Sequence, residues 1–181
     1  RGRTLEEALL QDGPLPWRTA AAHTAKICRA LETLHGGTPA ILHLDLKPSN
    51  IILTQDGPRL IDFGSAVLAD AAADRAEAAL PAKRAEAAFP ADRALRGTPG
   101  YAAPELYSGR GADNRSDIYG LGAVLCAMLT GKKPGPAGNR NRTEAVPERL
   151  WEIVEKAMKE EREGRFQNAA EFRSALETAL A

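Results

Sequence analysis

The sequence predicts a mainly α fold, a helical bundle with one small β-hairpin. Three observations predict it. Apolar residues recur at helical spacing in separate segments: Ala20, Ile27, Leu31 and Leu34, then Leu150, Ile153, Val154 and Ala157, then Ala170, Phe172, Leu176 and Leu180. The run from Ser116 to about Thr130 is apolar on nearly every face, which marks a buried helix. Between these, the short runs Ile51-Ile52-Leu53 and Arg59-Leu60-Ile61 flank Asp56-Gly57, a tight-turn dipeptide in which glycine reaches positive φ without steric cost.

A chain of 181 residues is long enough for one domain with a sizeable core, taken here as residues 1–181. The apolar fraction is 44%, and 24 basic residues balance 24 acidic ones, which argues against an electrostatic nucleic-acid binder or a polybasic membrane module. No apolar run reaches membrane-spanning length. Cys28 and Cys126 fall inside helical patterns, as reduced buried thiols of a cytoplasmic domain would. The chain begins at Arg1 rather than Met and shows no secretory signal, so it reads as a piece of something longer, with any membrane tether outside it.

In chain order, Thr4 to Gln11 reads as a short helix, with Thr4 as N-cap, Glu7 closing a capping box and Asp12-Gly13-Pro14 as the stop. A long helix begins near Pro16-Trp17 and ends at Gly36-Gly37. His23 and His35 read as packed or surface imidazoles. The hairpin follows, then an alanine-rich stretch over 66–96, broken by Pro81 and Pro90, which reads as a solvated loop or a helical insert. Gly131 terminates the buried helix, residues 132–146 are polar with little room for a helix, and amphipathic helices cover Pro147 to Met158 and Asn168 to Leu180.

The chemistry centres on His43-Leu44-Asp45-Leu46-Lys47-Pro48-Ser49-Asn50, a short loop that runs straight into the first hairpin strand. The second strand ends on Asp62-Phe63-Gly64, so the hairpin returns Asp62 to the side of Asp45 and Asn50. Two carboxylates, a carboxamide and an ammonium group then share one pocket. Asp62 and Asn50 offer the hard oxygen ligands that Mg²⁺ prefers. Asp45 can take the proton of an attacking hydroxyl, and Lys47 can neutralise charge on a moving phosphoryl group.

These residues resemble a protein kinase. His43 to Asn50 is similar to the catalytic loop (43–50), and Asp62-Phe63-Gly64 to the metal-binding triplet. Gly97-Thr98-Pro99-Gly100-Tyr101-Ala102-Ala103-Pro104-Glu105 resembles the end of the activation segment, here 62–105 with the 66–96 insert. Lys47 is the serine/threonine version of its position, and the run from Gly97 on most resembles bacterial kinases of eukaryotic type. The resemblance implies a kinase C-terminal lobe that uses ATP and Mg²⁺ and phosphorylates serine or threonine of proteins. It implies Asp45, Lys47 and Thr98 as catalytic residues, Lys47, Asn50, Ile52 and Asp62 at the nucleotide, and Asn50 and Asp62 on the metal. Thr98 would hydrogen-bond Asp45 and Lys47, residues 99–101 would form the platform for the residue after the acceptor, and His43 would prop the loop. Asp117 would accept backbone N–H groups of the catalytic loop, and Glu105 would be buried against Arg165.

The chain departs from the family in three ways. No Gly-x-Gly-x-x-Gly or Val-Ala-Ile-Lys-like strand is present, so the N-terminal lobe is absent from this stretch, and alone it is expected to bind ATP poorly. Between Ser65 and Thr98 there is no Ser, Thr or Tyr, and Leu44 stands where kinases switched by loop phosphorylation carry an arginine, so that switch is not expected. The 132–146 stretch lacks room for a helix that docks substrates. A non-catalytic pseudokinase or interaction scaffold is the alternative reading. A related small-molecule kinase, such as an aminoglycoside phosphotransferase, would not be expected to carry the 97–105 segment.

Overall fold

The computed structural model describes residues 2–69, 97–108, 111–135 and 142–181. Arg3–Thr4 (β1) leads into Leu5–Asp12 (α1). The Glu7 N–H donates to Thr4 Oγ1 at 3.1 Å and the Thr4 N–H donates to Glu7 Oε2 at 2.8 Å, the reciprocal cap expected from Thr-x-x-Glu. Gly13 ends the helix at φ 78°. Trp17–His35 (α2) follows and buries Ala20, Ile27, Cys28 and Leu31.

Ile41–Leu42 (β2), Ile51–Thr54 (β3), Gly57–Leu60 (β4) and Val67–Leu68 (β5) form two small antiparallel sheets, in the orders β1-β3-β4 and β2-β5. The hairpin is present, but its turn lies one residue earlier than expected. Thr54 pairs with Gly57, so Gln55 and Asp56 are the linking residues. Gly57 is the first residue of the returning strand, at φ 115°, and a Cβ there would meet Lys26 Nζ at 2.8 Å. The positive φ is what calls for glycine here, since the atoms a Cβ would meet belong to the flexible side chain of Lys26. The alanine-rich stretch is a strand at Val67–Leu68, and its residues 70–96 lie outside the described residues.

Four further helices follow among the described residues. Pro104–Ser108 (α3) is short and buries Glu105 and Leu106. Asn114–Thr130 (α4) is buried at every residue from Ser116 to Leu129, as its apolar faces predict. It starts two residues before Ser116 because Asp113 caps it, accepting the Arg115 N–H at 2.8 Å, and Gly131 closes it at φ 66°. Glu148–Ala157 (α5) buries Leu150, Trp151, Val154 and Ala157, and Ala169–Leu180 (α6) buries Ala169, Phe172, Leu176 and Ala179. Ala170, expected on the apolar side of α6, is exposed. It sits two residues from Phe172, so it faces the opposite way, and Ala169 completes the stripe instead.

Along 132–146 the described residues, 132–135 and 142–146, form no helix. Cys28 and Cys126 are both buried, and burial pushes the Cys28 thiol up. No helix among the described residues is long and apolar enough to cross a membrane.

Candidate active site

The loop 43–50 hangs from the start of α4. Asp117 is 1% exposed, and its carboxylate accepts the His43 N–H at 2.9 Å and the Leu44 N–H at 2.8 Å. His35 Nε2 lies 2.8 Å from the same carboxylate. The sequence pointed to Asp117 but not to His35, 82 residues away along the chain, because nothing in local periodicity links the end of α2 to the start of α4. His43 is fully buried and its ring packs on Phe63, with centroids 5.0 Å apart. That is a supporting position, as expected for His43. Leu44 takes φ 60° and is buried in the core cluster. A left-handed backbone at a leucine is strained, and here the two hydrogen bonds to Asp117 and the buried side chain hold it.

Held this way, the loop directs Asp45 and Lys47 toward Thr98. The Thr98 hydroxyl donates to Asp45 Oδ1 at 2.9 Å, Lys47 Nζ donates to Thr98 Oγ1 at 3.1 Å, and Lys47 Nζ lies 2.8 Å from Asp45 Oδ2. A hydroxyl has one proton, so Thr98 gives it to Asp45 and accepts from Lys47, and the three groups close a ring. Asn50, at the end of the short 3₁₀ turn Pro48–Asn50, donates Nδ2 to the Asp45 carbonyl at 2.9 Å and to Asp45 Oδ2 at 3.1 Å. Both amide hydrogens are used, which leaves its Oδ1 as the ligand-capable atom. Asp45 and Lys47 keep partial access to solvent, with side chains 12% and 26% exposed.

Asp62 joins this group through the backbone. The Ile61 N–H donates to the Asn50 carbonyl at 2.9 Å, which sets the residue after it beside Asn50. Asp62 itself is exposed at φ 61°, and its Oδ1 accepts the Gly64 N–H at 3.0 Å. Asp45, Lys47, Asn50 and Thr98 are therefore in direct contact, and Asp62 adjoins them without a side-chain bond to them. Ile52 stands half-buried in the central strand of its sheet, opposite Thr4 and Arg59 and outside the ring.

A second polar cluster anchors the segment that carries Thr98. Glu105 is 5% exposed and Arg165 2%. Arg165 Nη1 and Nη2 donate to Glu105 Oε1 and Oε2 at 2.7 and 2.8 Å, and Ser116 Oγ donates to Oε1 at 2.8 Å. The other Arg165 donors reach the carbonyls of Lys159 at 2.7 Å, Arg115 at 3.1 Å and Glu160 at 2.8 Å. Burial pushes the Glu105 carboxyl up, but the hydrogen bonds from Arg165, its backbone contacts and Ser116 outweigh that and hold it below its usual value.

Residues 1–179 match the family described as protein kinase domain. The chain is 33% identical to serine/threonine-protein kinase PkaA of Streptomyces coelicolor over 174 residues, which cover 87% of this chain and 29% of that protein. It is 32% identical to serine/threonine-protein kinase Pkn1 of Myxococcus xanthus over 189 aligned positions, 93% of this chain and 25% of the relative. With serine/threonine-protein kinase PknB of Mycobacterium leprae it shares 33% identity over 192 aligned positions, 97% of this chain and 28% of the relative. The chain thus spans less than a third of the length of these curated relatives.

Proposed function

The chain belongs to the protein kinase family, and on that premise we propose that residues 1–181 are the C-terminal lobe of a kinase domain that transfers the γ-phosphoryl group of ATP to serine or threonine hydroxyls of proteins. The observation that carries this reading is the closed ring of Asp45, Lys47 and Thr98. It joins a proton acceptor and a cation to the segment on which a protein substrate would rest. Asp45 takes the proton as the acceptor oxygen bonds to phosphorus and the bond from phosphorus to ADP breaks. Lys47 places positive charge beside the moving group, and Thr98 holds both in position.

The donor set fits Mg²⁺, because Asn50 Oδ1 and the Asp62 carboxylate are hard oxygens and too few to form an all-protein cage. An ion that keeps waters and phosphate oxygens in its shell needs no more. Bound there, it would offset charge on the nucleotide phosphates. Ile52 would give the base an apolar surface. Leu44 lies in the core and presents no cation to a phosphate, which supports control by something other than phosphorylation of the 62–105 segment. Cytoplasmic placement belongs to the same proposal. The non-catalytic alternative is less favoured, because Asp45, Lys47, Asn50 and Thr98 are in direct contact and Asp62 is present beside them.

The test is Mg-ATP phosphorylation of serine and threonine peptides by the full-length protein, beside Asp45→Asn and Asp62→Asn. Turnover of about 1–100 s⁻¹ that both substitutions abolish is expected. A folded protein with no turnover, indistinguishable from its variants, would establish the scaffold reading instead.

A further inference from the structure

The segment that presents Thr98 turns sharply, with the N–H groups of Tyr101 and Ala102 both donating to the Thr98 carbonyl at 3.0 and 3.1 Å. Gly100, inside that turn, takes φ 90°. A Cβ there would meet the Pro134 carbonyl oxygen at 2.7 Å, Lys133 Cε at 2.8 Å and Lys133 Cγ at 3.3 Å. Only glycine permits this approach, on both conformational and steric grounds. Pro134 is buried and Lys133 is exposed, so the residues beyond α4 are fixed against the turn while the lysine stem lies along it. The ammonium is one bond, about 1.5 Å, beyond Cε and so stands at the rim of residues 99–101.

Tyr101 is pushed up to about 12 by burial and, secondarily, by the carboxylate of Glu6 on α1. The charge that the geometry places at this turn is that of Lys133. A hydroxyl delivered to Asp45 brings its chain neighbours across this turn, because Thr98 bonds Asp45 directly and two residues of extended chain cover about 7 Å. Among the described residues Lys133 has no carboxylate partner in an ion pair.

We propose that Lys133 selects protein substrates with an acidic residue next to the acceptor serine or threonine. This rests on the kinase reading of the site. A single exposed charge pair gives a preference of about fivefold, weaker at high salt.

The test uses full-length protein and fluorescent peptides with one serine, flanked on one side or the other by glutamate or by lysine. Phosphorylation rates (kcat/KM) and, without nucleotide, binding by anisotropy are read for the native protein and for Lys133→Glu. The expected result is a preference for glutamate of about fivefold at one flanking position, reversed in Lys133→Glu. Turnover with no charge preference, or with one that the substitution leaves in place, would overturn the inference and leave the kinase reading standing. Tighter binding of the glutamate peptide without any turnover would do the opposite.

Discussion

Asp45 and Glu105 share two kinds of partner and differ in nearly everything else, Asp45 also accepting from the Asn50 amide. Each carboxylate meets one cation and one hydroxyl, Lys47 and Thr98 for Asp45, Arg165 and Ser116 for Glu105. Around Glu105 the guanidinium is bidentate, its five donors are all used, and both side chains are nearly sealed from water. Around Asp45 the cation is a flexible ammonium with two donors engaged, and both side chains reach solvent. A planar fork in a dry site makes a fixed joint, whereas a point charge at a wet edge can exchange its partners for an incoming group. Chemical type therefore does not distinguish the architectural trio from the one we propose as reactive. Burial and remaining hydrogen-bonding capacity do.

That contrast can be broken most directly at Asp45. Asp45→Asn should lower kcat by about 100- to 10,000-fold while the thermal midpoint moves by less than about 2 °C, read by peptide phosphorylation and calorimetry on the full-length protein. A collapse of the midpoint would show that this trio too is architecture. Arg165→Met should do the reverse, destabilising the domain by about 3–5 kcal/mol, or roughly 6–20 °C, because it strands the buried Glu105 carboxylate. The double substitution Glu105→Leu with Arg165→Met should recover most of that loss.

Acid sharpens the comparison further. The folded-state pKa of Glu105 lies below its unfolded value near 4.5, so its contribution is fully present above about pH 4.5 and fades as pH falls through the folded value. Urea midpoints should therefore drop below pH 4.5, and the drop should be shallower in Glu105→Gln. The smallest effect is expected at Thr98. Thr98→Val should slow turnover about fivefold, the worth of one hydrogen bond, and Thr98→Ser should restore it.

Much of this was legible in the sequence, for physical reasons that also explain the gaps. The capping box of α1 and the buried α4 each leave a mark in residue type and spacing, whereas the Glu105–Arg165 pair was reached through the family resemblance. The two-residue strands β1, β2 and β5 left none, since alternation needs more residues than they contain. Asp56-Gly57 located the hairpin but not its register, since Gly57 takes its positive φ as the first residue of β4 rather than within the turn. In the site, residue types grouped Asp45, Lys47, Asn50 and Asp62, of which the first three are in contact, whereas Thr98, which closes the ring, was reached only through the family resemblance. The contact of His35 with Asp117 and the approach of Lys133 to Gly100 depend on tertiary placement, which no local pattern encodes.

Leu44 and Asp62 share a left-handed backbone, at φ 60° and 61°. In stereochemical terms, both are positions where an L-residue adopts the conformation its mirror image would favour. Glycine would relieve the local strain of about 1–2 kcal/mol at each, but it would also remove the side chain that makes the position useful, a core anchor at Leu44 and a carboxylate at Asp62. The chain accepts the wrong hand at two points so that the segments between and beside them can face one another.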